Sequence, residues 1–205
     1  MSKKEAPLEA IKRYIPAPAA ALILNYLNHY KVHLTITRER KSILGDYRHA
    51  TSYHAHRISI NGNLNKFSFL ITLIHELAHL VTFIQYKHTV DPHGKQWKAL
   101  YASLLKDFLV PEIFPADILN ALKQSMHDLP ASSCSDERLM RVLRSYDVPQ
   151  NGMVLVEQVT EGNVFNADGR VFKKGKKLRK RYQCQEISTG KVYLFSPIYE
   201  VKLIS

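Results

Sequence analysis

Ile71-Thr-Leu-Ile-His75-Glu76-Leu-Ala-His79-Leu-Val81 is the stretch on which the reading of this chain turns. Apolar Phe67, Leu70, Ile71, Ile74, Leu77, Ala78, Val81 and Ile84 recur around its three polar residues at helical spacing, and Asn65 stands where an N-cap belongs. At about 100° per residue, His75 and His79 lie about 40° apart on one helix face, with Glu76 beside them. Two imidazoles so placed hold one zinc ion next to a carboxylate, the core of a hydrolase site. Burying them on a core helix with nothing to bind costs on the order of several kcal/mol, so burial itself argues for a ligand.

A catalytic zinc keeps three protein ligands and leaves the fourth position to water, so a third donor must come from elsewhere in the chain. The first candidate is His93, in Asp91-Pro-His-Gly-Lys-Gln-Trp97. On a continued helix His88 would fall about half a turn from His79 and point away from the metal. Glu112, the nearest glutamate downstream, is bracketed by Pro111 and Pro115 in a loop and ranks below His93. The third histidine and glycine of the longer signature with a Met-turn are missing.

Around this helix the pattern is mixed. Pro18 followed by an apolar run predicts a helix to Tyr30. Val32–Thr37 and His56–Asn61 alternate, and Ser42–Arg48 contains a Gly45-Asp46 break, so a small sheet of about three strands precedes the long helix. Trp97, Leu100, Tyr101, Leu104, Leu105 and Phe108 have the spacing of a helix packed on it. Two more helices follow, one from Pro115 to about His127 and one capped by Ser135.

Three segments taken together, Ile58-Ser-Ile-Asn61, Phe69 through His75-Glu-Leu-Ala-His79, and His93-Gly-Lys-Gln-Trp97-Lys, resemble the SprT-like zinc metalloproteases. Eukaryotic relatives of that family, the Spartan proteins, cut proteins crosslinked to DNA. The resemblance spans roughly residues 15 to 125, with a weaker echo to the C-terminus. It implies that His75, His79 and His93 bind one zinc ion and that Glu76 is the catalytic carboxylate, accepting a proton from water and returning it to the leaving amine. It also points to Arg57, Ile58, Ser59, Ile60 and Asn61 as an edge strand that pairs with an extended protein substrate. A strand paired on both sides is the other reading of those five residues.

All ten histidines precede residue 128, and beyond Pro149 the composition shifts. Short alternating runs, Val154–Val159, Arg181–Glu186 and Val192–Phe195, are punctuated by Glu161-Gly162, Asp168-Gly169 and Thr189-Gly190, which describes a small β module. In many relatives the C-terminal piece is a zinc ribbon. Arg181-Tyr-Gln-Cys184-Gln-Glu-Ile187 resembles its second Cys-x-x-Cys pair with the last cysteine replaced, and the first pair is missing. The expectation is a ribbon-like module without its own zinc. The chain as a whole reads as α+β: a helical metalloprotease core with a small antiparallel sheet over residues 1–148, and a small basic β module over residues 149–205.

At 205 residues and 45% apolar content the chain has room for one sizeable core and a small second module. Its first residues lack the apolar run of a secretory signal, and Ile15–Leu27 is too short and proline-broken to span a bilayer, so a cytoplasmic location without membrane contact is expected. Cys134 and Cys184 are then two reduced thiols rather than a disulfide framework.

The formal net charge is +11, and Lys173, Lys174, Lys176, Lys177, Arg179, Lys180 and Arg181 crowd into nine positions flanked by Phe172 and Tyr182. Such a cluster suits DNA phosphates, with backbone contacts and no sequence specificity, while a solvated hairpin tip is the plainer reading. Two functions follow. One is a zinc endopeptidase acting on DNA-associated or DNA-crosslinked proteins. The other is a non-proteolytic nucleic-acid-binding or transcription-associated protein with a structural zinc, for which Glu76 would have no use.

Overall fold

Lys66–Tyr86 forms one helix, α2, in the computed structural model of the chain, which describes residues 8–40, 43–126, 136–148 and 152–204. Asn65 caps it: its side-chain oxygen accepts from the amides of Phe67 at 3.1 Å and Ser68 at 2.9 Å, two of the donors a helix N-terminus leaves unpaired. Every residue from Phe69 to Ala78 is buried, so α2 is a core helix enclosed all round rather than on one stripe. Among the described residues it is the one helix long and apolar enough to cross a bilayer by length and composition, and most of it is packed inside the protein.

The described residues divide into two units between Asp147 and Val148. In the first, α1 (Ala20–His29), α3 (Lys95–Lys106), α4 (Ala116–Ser125) and α5 (Glu137–Arg144) accompany α2 and a sheet of β1 (His33–Thr37), β2 (Gly45–Arg48) and β3 (Arg57–Asn61). Ile23, Leu27, Ile58, Ile60, Phe69, Trp97, Phe108 and Phe114 meet in its core with essentially no exposure, each contributing about 1.5–3 kcal/mol of burial. A short 3-10 helix at Leu8–Arg13, unforeseen in the sequence, adds Ile11 to that core. The predicted Ser135 cap lies outside the described residues, as does Cys134; α5 is capped by Asp136, which accepts from the amides of Arg138 and Leu139.

Two expectations for the sheet are corrected. Its order is β1-β3-β2, with β1 parallel to β3 and only β2 antiparallel, so the sheet is mixed. Alternation in a sequence tells which side chains face the core but not which strand lies alongside or in which direction. Because β3 is central, Arg57, Ile58, Ser59, Ile60 and Asn61 have strands on both sides and offer no edge to a substrate. The supposed break at Gly45-Asp46 is the start of β2.

The second unit is an antiparallel sheet ordered β4-β9-β5-β6-β7-β8. Its strands are β4 (Met153–Leu155), β5 (Val164–Ala167), β6 (Arg170–Lys177), β7 (Tyr182–Glu186), β8 (Val192–Phe195) and β9 (Glu200–Leu203). Instead of continuing as a strand, the chain after Leu155 turns into a 3-10 helix at Val156–Gln158. Val156, Val159, Phe165, Phe172, Cys184 and Val201 form this unit's own core, and Cys184 is a free, buried thiol there.

Candidate metal centre

His75, Glu76 and His79 come from the middle of α2, where the helix is most enclosed. His93 comes from the short link between α2 and α3. There the Gly94 amide donates to the Asp91 carbonyl at 2.9 Å, and His93 takes φ 62°, a left-handed conformation sparsely used by residues other than glycine. That turn carries the third imidazole back to the other two. His75 Nε2 lies 3.2 Å from His79 Nε2 and 3.2 Å from His93 Nε2. One ring nitrogen carries at most one proton and cannot donate in both directions, so three nitrogens facing one point fit a shared cation. Nitrogens about 2.0–2.1 Å from a tetrahedral zinc are about 3.3–3.4 Å apart, close to this spacing.

The electrostatics agree. Burial, reinforced by the neighbouring imidazoles, lowers the pKa of His75 to about 3 and of His79 to about 4, and burial lowers that of His93. All three are therefore neutral near pH 7, the state in which a ring nitrogen binds metal. Among the described residues no fourth His, Cys, Asp or Glu joins the group, which leaves a position for water. The donor set thus fits a catalytic zinc.

Trp97, in the first turn of α3, is completely buried beneath the three rings: its centroid lies 4.7 Å from His75, 5.2 Å from His79 and 4.6 Å from His93. Tyr101 stacks on Trp97 at 5.0 Å and also meets the His75 ring edge-on at 5.7 Å. Among the described residues no group hydrogen-bonds to His75 Nδ1 or Trp97 Nε1, both of them buried, and the indole packs directly against the His75 ring.

Burial raises the pKa of Glu76 to about 8, and Asp46 adds to the rise. Arg40 and a hydrogen bond from the Tyr47 amide act in the opposite direction, and a nearby divalent cation also favours the carboxylate. Arg40 is held by the central strand: Nε donates to Asn61 Oδ1 at 2.8 Å and Nη1 to Ser59 Oγ at 3.0 Å. Asn61 Nδ2 in turn donates to the carbonyls of Arg40 and Ile43. With Ile58 and Ile60 fully buried, the five residues of β3 support the site from behind.

β2 is the edge on the side of Glu76. The Asn61 amide donates to the Leu44 carbonyl, so by ladder alternation Leu44, Asp46 and Arg48 turn their backbone groups toward β3, and Gly45 and Tyr47 turn theirs outward. The Tyr47 amide reaches Glu76 from that outward side. Sequence reasoning names neither Gly45 nor Arg40 as part of the site; a glycine beginning a strand is the available signal, and on its own it reads as a break.

In the second unit, Lys173, Lys176, Lys177, Arg179, Lys180 and Arg181 are exposed on β6 and the hairpin that follows it. Lys174 departs from the expectation. It is buried, its Nζ donates to the carbonyls of Glu157 at 3.2 Å and Val159, and it lies 4.1 Å from the Tyr182 ring centroid. Phe172 is likewise in the core, so neither it nor the lysine-covered face of Tyr182 is a platform for bases.

Residues 21–113 match the model of the SprT-like family, a stretch containing the three-stranded sheet, α2, α3 and all four residues of the centre. No curated protein and no solved structure matches the chain.

Proposed function

We propose that this chain, whose residues 21–113 match the model of the SprT-like family, is a zinc metalloendopeptidase that cleaves proteins bound or crosslinked to DNA. The observation that carries the reading is the convergence of the His75, His79 and His93 ring nitrogens next to a buried glutamate on the same helix. A bound zinc supplies Lewis acidity toward a peptide carbonyl and a water acidic enough to react at neutral pH. Glu76 accepts the proton of the attacking water on a carboxylate oxygen and returns it to the departing amine nitrogen. The outward side of β2 takes the role expected of β3: an extended substrate adds there as a strand, gripped through the backbone groups of Gly45 and the carbonyl of Tyr47, while the Tyr47 amide stays with Glu76.

The DNA part of the proposal rests on the exposed basic residues of the second unit, Lys173, Lys176, Lys177, Arg179, Lys180 and Arg181, without Lys174. Phosphate contacts there would concentrate the protease on proteins sharing the same DNA.

Glu76→Gln keeps the ligand set and removes the base. It is expected to retain stoichiometric zinc by mass spectrometry while cleavage of a histone mixture, with and without single-stranded DNA, falls by about 100- to 10,000-fold. Undiminished cleavage by that variant refutes the assigned role.

A further inference from the structure

Gly45 occupies the point of closest approach between β2 and α2. A methyl group placed on it would lie 2.6 Å from Glu76 Oε1, 2.8 Å from Thr72 Cγ2 and 2.9 Å from Glu76 Cγ. Any side chain at this position therefore occupies the volume of the glutamate itself. Gly45 has no left-handed backbone that would require glycine, so proximity, not conformation, excludes a side chain. Tyr47, two residues along and on the same outward side of β2, gives its amide to the Glu76 carboxylate. Both facts follow from one arrangement: the strand lies flush against the helix at Gly45, and its next outward amide is thereby within reach of Glu76.

We infer that Gly45 is a positioning residue for Glu76, its missing side chain allowing the carboxylate to be clamped by the backbone amide of Tyr47. Two of the three overlaps are with the flexible side chain of Glu76, so an added methyl is relieved mainly by turning that side chain aside, which disturbs the site, while the third, with Thr72 Cγ2, requires a small local shift of strand against helix. The kinetic consequence rests on the hydrolase reading given above; the structural consequence does not.

The test is Gly45→Ala in the full-length, zinc-loaded chain, with amide hydrogen exchange and kinetics on fluorescein-labelled casein measured side by side. The Tyr47 amide, which has no strand partner in β3, is expected to exchange about tenfold faster or more in the variant, while that of Asp46 keeps its protection. The kcat should drop about 100-fold, with KM and zinc affinity unchanged within about twofold, a split that general loosening of the fold would not produce. Gly62→Ala is the control, because its methyl would meet Ile36 Cγ2 at 2.8 Å and no atom of Glu76; it should preserve both Tyr47 protection and kcat. If the added methyl prevents folding, Glu76→Ala, which only removes atoms, must also free the Tyr47 amide. Unchanged Tyr47 protection in either variant overturns the inference, and so does faster Tyr47 exchange with an unchanged kcat. If wild type and Glu76→Gln are equally inactive on casein, the hydrolase reading fails, and amide exchange alone decides the role of Gly45.

Discussion

A metal-binding imidazole must be kept from turning about its ring axis, and a hydrogen bond at its second nitrogen ordinarily does this. Among the described residues His75 has none at Nδ1, and the indole of Trp97 beneath the three rings restrains it by packing. Trp97→Ala is expected to weaken zinc binding by about 10- to 100-fold in a competition titration against a chromogenic chelator. It should also cost about 3–5 kcal/mol in denaturant unfolding. Trp97→Phe keeps an aromatic floor and should lose much less of both; equal affinity in Trp97→Ala and wild type would mean that the rings are oriented some other way. His93 poses the opposite trade. Its left-handed φ of 62° is a strain of about 1–3 kcal/mol, tolerated because it returns a ligand to the metal. His93→Gly should therefore bind less than stoichiometric zinc, yet its metal-free form should resist urea better than metal-free wild type by about 1 kcal/mol. A variant that is less stable without metal would show that His93 packing, not its backbone, dominates at that position.

Local signals make α2 and its chemistry readable from sequence: Asn65 as cap, apolar residues at helical spacing, and histidines four apart all act within a few turns of chain. The order β1-β3-β2 is not readable, because it depends on β1 pairing with β3 instead of with its sequence neighbour β2, and alternation is silent on that. Gly45 is legible as an exception but not as a close approach, since the partner that needs the space, Glu76, is thirty-one positions away. The seven basic residues conceal a strand for a similar reason: inside β6, Lys174 takes an inward position that binary patterning reserves for an apolar residue, and carbonyl oxygens on another segment satisfy it. The roles of these lysines can be separated by experiment. Replacing Lys176, Arg179 and Arg181 together by Ala should flatten the log–log salt dependence of binding to a fluorescent single-stranded oligonucleotide by about 0.7 for each phosphate no longer neutralised. Lys174→Ala should leave that slope alone and lower the melting temperature, since it strands two carbonyls in a small core. A triple variant with an unaltered slope would remove the DNA assignment from this hairpin.

Across the whole molecule, stability is divided between two separate cores, and only one of them contains the ligand set. A ligand that binds the folded state alone stabilises it by RT ln(1 + [L]/Kd), about 4 kcal/mol when the free ion stands at a thousand times its Kd. Zinc should add this amount to the unit formed by α1–α5 and none to the antiparallel sheet. The chain provides a reporter for the distinction, because Trp97 is its one tryptophan and lies directly against the three histidines. Unfolding followed by tryptophan fluorescence therefore reports the first unit alone. Adding a chelator should move that transition to lower denaturant concentration and change the native emission, as the rings above the indole lose their shared cation. Phe172→Ala, which opens a cavity in the core of the second unit, should leave the fluorescence transition in place while destabilising the residues around β6 by about 3–5 kcal/mol, as measured by hydrogen exchange. If the chelator leaves the Trp97 transition where it was, zinc contributes nothing to the folded unit. If Phe172→Ala shifts that transition as far as the chelator does, the two cores unfold as one.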